Sequence, residues 1–134
     1  MITLPDATLQ HRPELDAIVV RWSNESSEAS MVQVYAELLD KAKLKNCYKW
    51  LLDVRRRDKV EESFTNWFYK IFLEEICAQE VHTTLKISFL VSPTRALVIK
   101  ELNWQPYLKH YDSHSCYVSA FVNEADAYQW LGIR

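Results

Sequence analysis

The sequence predicts a single α/β domain built on a mostly parallel five-stranded sheet, with an antiparallel strand at its N-terminal edge and four helices. Three observations lead there. Two short, largely apolar stretches, "CYKWLLDV" (47–54) and "LKISFLVS" (85–92), have the length and pattern of strands covered on both faces. Between and around them, apolar residues step by three and four, the period of a helix with one buried stripe. The two patterns alternate along the chain, and alternating strands and helices are satisfied by parallel strands joined through helical crossovers.

Taken in order, "ATLQHR" (7–12), "PELD" (13–16) and "AIVVRWS" (17–23) read as a hairpin whose turn is fixed by Pro13 and whose second strand gains β-branched bulk from Ile18, Val19 and Val20. In "NESSEAS" (24–30), Asn24, Ser26 and their neighbours offer helix caps ahead of Met31, Val34, Tyr35, Leu38, Leu39 and Ala42, one apolar stripe ending near Lys45 and Asn46. "CYKWLLDV" (47–54) supplies an interior strand. Phe64, Trp67, Phe68, Ile71, Phe72 and Ile76 then repeat the helical spacing. "LKISFLVS" (85–92) is a second buried strand, closed by Ser92 and Pro93, and "TRALVIKEL" (94–102) a shorter helix. "NWQPYLKHYDSHS" (103–115) reads as an irregular connection. "CYVSAFV" (116–122) forms the last strand, and Asn123 with Asp126 three residues later has the spacing of a capping pair opening "EADAYQWL" (124–131).

At 134 residues with a hydrophobic fraction of 49%, the chain is sized for one core and has no linker or repeat to divide it. A net charge of −2 gives no overall field for a polyanion, so no nucleic-acid partner is expected. No apolar run reaches the roughly 18 residues of a membrane span, and "MITLPDATLQHR" lacks the layout of a signal peptide, so the expected location is cytoplasmic, without membrane insertion. Cys47, Cys77 and Cys116 are too few and scattered for a disulfide framework and read as reduced packing residues. The one glycine, Gly132, excludes the phosphate-cradling loops of dinucleotide and P-loop folds, and no cofactor is expected.

The element order, the buried "WLLDV" with an acid near its end followed by arginines, and the terminal "EADAYQWL" together resemble the STAS family, the anti-sigma-factor-antagonist fold, and more narrowly its small stand-alone bacterial members of uncharacterised function. The resemblance spans nearly the whole chain. It implies a regulatory module that binds another protein. In the regulatory members a serine in an Asp-Ser-Ser-Gly-like turn after the central strand is phosphorylated, and the nearest hydroxyl at that place here is Ser63. The glycine of that turn is absent, and Glu61 and Glu62 occupy its surroundings.

Ligands of open α/β sheets gather at the carboxyl ends of the strands, so the loops starting at Asn24, Arg55, Ser92 and Asn123 are expected on one edge. There Arg55, Arg56 and Arg57, with Asn24 and Ser26, form the candidate surface for an anion or an acidic partner. The alternative is structural: one arginine pairs with Asp53 or Asp58 and the others are solvated. "HYDSH" (110–114) has two histidines four apart, but Ser113, Asp112 and the upstream Pro106 make it a loop rather than a metal-binding helix, and no metal is expected. No nucleophile elbow or other catalytic pattern is present. The aromatic stripe at Phe64, Trp67, Phe68 and Phe72 is either a core face or the lining of a lipid pocket. Trp104, Pro106 and Tyr107 are the candidates for an exposed patch that faces a partner or a second copy of the chain; the alternative is that they cover the sheet edge.

Overall fold

A computed structural model of the chain describes residues 1–23, 27–56, 67–78, 84–101, 107–110 and 115–132. The hairpin is as the sequence predicts: β2 (Ala7–Arg12) runs antiparallel to β3 (Ala17–Trp22), joined by a 3₁₀ turn at Pro13–Leu15. Asp16 closes that turn in the left-handed region at φ 50°, which Asp tolerates better than most non-glycine residues. β1 (Ile2–Thr3) adds two residues antiparallel to β2. α1 (Glu28–Lys45) is capped by Ser27, whose hydroxyl accepts from the Ser30 N–H at 3.2 Å, and it ends at Asn46, again left-handed at φ 49°. The cap is thus Ser27; Asn24 and Ser26 lie outside the described residues.

β4 (Lys49–Asp53) enters the sheet parallel to β3, and β5 (Leu85–Leu90) lies parallel on its other side. The interior position of "WLLD" follows from its composition, since Trp50, Leu51 and Leu52 are fully buried although they alternate between faces. Next come a π-helical stretch, Phe68–Phe72, continuous with α2 (Leu73–Ala78), then α3 (Pro93–Glu101), β6 (Tyr107–His110), β7 (Ser115–Phe121) and α4 (Glu124–Trp130). Asn123 caps α4 by accepting from the Asp126 N–H at 3.2 Å, as the sequence spacing predicts.

Among the described residues the sheet order is β1-β2-β3-β4-β5-β7-β6. Leaving aside the two-residue β1, six strands form the sheet rather than the expected five. The addition is β6, which pairs antiparallel with β7 inside the stretch read as an irregular connection. "YLKH" is only four residues long and mixes apolar with charged residues, so it carries no periodicity of its own. Its strand character comes from the edge of β7 that it covers. The four inner strands β3, β4, β5 and β7 are mutually parallel, and the antiparallel pairings lie outside them, at both borders instead of one.

The two faces are filled unequally. One carries Leu9, Ile18, Val20, Trp50, Leu52, Ile87 and Val118 against Met31, Tyr35 and Leu38 of α1 and Phe68, Phe72 and Ile76 of the second helical segment. Tyr35 is the hub, with ring centroids 5.7 Å from Trp22, 5.5 Å from Phe68 and 4.9 Å from Phe72. This is the core-face reading of the aromatic stripe; Phe64 lies outside the described residues. Ile71, counted among the residues at helical spacing, is instead 56% exposed, because the wider π-helical turn shifts the phase of the residues it contains. The other face holds a smaller cluster, Val19, Leu51 and Leu90 under Ala127 and Leu131 at α4.

Cys47 is a free, buried thiol whose pKa is raised by that burial, an inert setting. Cys116 is disulfide-bonded, which corrects the expectation that all the cysteines are reduced packing residues. Spacing alone carries no information about which thiols a fold brings together. Among the described residues no helix is long and apolar enough to cross a membrane.

Candidate functional site

Because the four inner strands point the same way, the residues following β3, β4, β5 and β7 emerge on one border of the sheet. Backbone bonds tie this border together: Val54 N–H donates to Leu90 O at 2.9 Å and Val91 N–H to Phe121 O at 2.8 Å. The edge expected from the sequence therefore exists, and a cleft of about 560 Å³ opens at its β3–β4 end. Thr8, Arg21, Trp22, Ser23, Asp53, Arg55 and Arg56 line it.

The strand register builds the cleft. Thr8 is opposite Arg21, and Arg21 is opposite Asp53, so three polar side chains stand in one row on the face shared with α4. Arg21 Nη1 donates to Asp53 Oδ2 at 2.7 Å, and its Nη2 pairs with Glu124 Oε1 at 2.6 Å. The chain then turns sharply after β4. Arg55 folds back on Asp53 through its backbone N–H at 3.2 Å, its Nε at 3.0 Å and its Nη2 at 2.8 Å, the side-chain-to-backbone turn that Asp favours. The Asp53 carboxylate thus accepts four hydrogen bonds, two on each oxygen.

Asp53 is 6% exposed. Burial pushes its carboxyl pKa upward, but the hydrogen bonds from Arg55 and Arg21 outweigh burial and hold it below the ordinary value. Desolvation likewise works against the charged form of Arg21, and its bonds to Glu124 and Asp53 more than offset it. The Asp53 bond raises the Arg55 pKa. Asp53 is therefore a fixed anion with its acceptor capacity filled. It serves as a clamp that aims two guanidiniums, and it is not placed to move protons.

Of the residues singled out in the sequence, Arg55 and Arg56 line the cleft. Arg55 makes the Asp53 pair that the structural reading anticipated, while Arg56 has no ion-pair partner among the described residues. Arg57, Asn24, Ser26 and the phosphoacceptor candidate Ser63 lie outside the described residues, as do His82, His114, Trp104 and Pro106. His110 closes β6 rather than lying in a loop. Among the described residues no three His, Cys, Asp or Glu side chains converge as a metal site would require. Sequence reasoning missed Arg21 and Glu124. For Arg21 the signal was present, since a lone arginine inside "AIVVRW" must find a partner on an otherwise apolar strand. Glu124 gave none: it reads as an ordinary first-turn acid of α4.

Ser88 and Lys86 continue the polar character of the same face. Ser88 Oγ donates to Ala127 O at 3.3 Å, and Lys86 Nζ donates to Trp130 O at 3.1 Å while lying 5.3 Å from the Trp130 ring centroid. Both hold α4 against the sheet, and so hold Glu124 beside Arg21.

No family model matches the chain, and neither the curated proteins nor the solved structures contain a match.

Proposed function

We propose that the chain is a regulatory protein-binding module, as the STAS resemblance implies, and that it docks by receiving an acidic group of its partner in the cleft beside Asp53. The supporting observation is the clamp itself: one buried carboxylate holds Arg21 and Arg55 in place, and Arg56 lines the cleft beside them with no ion-pair partner among the described residues. Pre-aimed guanidiniums bind carboxylate or phosphate through paired N–H donors and lose little side-chain freedom on doing so. The position, at the carboxyl ends of parallel strands, is where open α/β sheets take ligands.

The test is a titration of the chain with a short acidic peptide, followed through the amide chemical shifts of β3, β4 and the turn after it. Shifts centred on Ser23, Arg55 and Arg56 are expected, with about a tenfold loss of affinity in Arg56→Ala. Unchanged affinity in that variant, or shifts confined to another surface, would remove the proposal. A free small anion is the second reading, favoured by the cleft's size, since pockets for small ligands run from about 300 to 1,000 Å³. Competition between the peptide and a monocarboxylate separates occupants of the same cleft from occupants of different ones.

A further inference from the structure

The cleft carries a bias in charge. Arg21, Arg55 and Arg56 contribute three positive charges, and Asp53 with Glu124 two negative ones, so the described groups leave a surplus of one. The two acids differ in role. Asp53 is buried, saturated with donors and fixed by its own turn. Glu124 is half-exposed, sits on the first residue of α4 and reaches Arg21 from the opposite element. Its carboxylate bears on Arg55 as well, through space. An anion entering the cleft meets Arg56 and the Nη1 of Arg55, which has no hydrogen-bond partner among the described residues, with Glu124 bonded to the neighbouring Arg21, and that carboxylate repels it in proportion to its charge.

We propose that the cleft takes a monoanionic carboxylate in preference to a phosphate dianion, and that Glu124 is the residue that sets this preference. This rests on the docking reading above and specifies its ligand. A carboxylate presents two oxygens in one plane, matching a guanidinium fork, and one charge, matching the surplus. A phosphomonoester brings close to two charges and a third oxygen, leaves the described charges of the cleft net negative, costs more to desolvate and meets twice the repulsion from Glu124. Side chains of aspartate or glutamate on a partner satisfy the first description.

The experiment compares benzoate with phenyl phosphate, which share a ring and differ in head group, at about pH 7.5, where a phosphomonoester is largely dianionic. Wild type is expected to bind benzoate about tenfold tighter than phenyl phosphate, and Glu124→Gln to close that gap, tightening benzoate about tenfold and phenyl phosphate about a hundredfold. Glu124→Ala, which removes the acceptor as well as the charge, is expected to act in the same direction, and thermal unfolding of both variants checks that α4 remains docked. Equal or tighter binding of phenyl phosphate by wild type, or an unchanged ratio in Glu124→Gln, overturns the role of Glu124 and leaves the docking reading in place. Binding of neither probe to wild type overturns both.

Discussion

The two faces of the sheet solve the same problem with different material. The face under α1 and the second helical segment is dry, filled by Trp50, Tyr35, Phe68, Leu38 and Ile87 with ring against ring. The face under α4 carries a smaller apolar cluster, Val19, Leu51, Leu90, Ala127 and Leu131, and around it places Ser88, Lys86, Arg21 and Asp53, each bonded to the helix, to the turn after β4 or to one another. Apolar burial is non-directional and scales with area, so the first face supplies stability. Hydrogen-bonded charges contribute little net stability but fix geometry, so the second supplies a site whose donors are already aimed.

Substitution on each face tests that division. The largest effect belongs to the dry face: Trp50→Ala should cost about 3–5 kcal/mol in chemical denaturation, since it removes a fully buried indole and the N–H that donates to Cys47 O at 3.0 Å. A cost below about 1 kcal/mol would show that the ring cluster is not the stabilising core. Asp53→Asn should cost less, about 1–3 kcal/mol, because it unpairs Arg21 and Arg55 while both keep partial access to water. Its cost should also depend on pH. The folded-state pKa of Asp53 is depressed, so its contribution is complete above the unfolded value of about 3.9 and fades as pH falls through the folded one. The stability gap between wild type and Asp53→Asn should therefore be widest near neutrality and close in acid, and a gap independent of pH down to about 2 would separate the clamp from the charge of Asp53. The smallest effect is Ser88→Ala, about 0.5–1 kcal/mol, since Ala127 O keeps its bond from the Leu131 N–H at 3.3 Å. A larger loss would mean that α4 depends on this hydroxyl more than on its apolar contacts.

Those faces were unequally legible in the sequence. The dry one follows from periodicity, because Met31, Val34, Tyr35, Leu38 and Ala42 mark a stripe that only a helix lays on one side, and "WLLD" is too apolar to stand at a border. The polar face depends on register and on distant contacts. Asp53 and Arg55 are two residues apart, so their pairing was readable; Arg21 and Asp53 are neighbours only through strand pairing, and Glu124 joins them from near the end of the chain. Local pattern fails in the same way at Tyr107–His110, where a short edge strand is specified by its neighbour, and at Ile71, where a π-helical turn resets the helical phase.

The left-handed turns at Asp16 and Asn46 bear on the unfolded chain as much as on the folded one. Glycine would adopt both without steric penalty, but it would also give the denatured ensemble more conformations to surrender on folding, which offsets part of that advantage. A chain that meets these bends with aspartate and asparagine, and holds one glycine in 134 residues, begins folding from a comparatively restricted set of backbone states. Part of its resistance to denaturation therefore originates in what the disordered polypeptide is prevented from exploring.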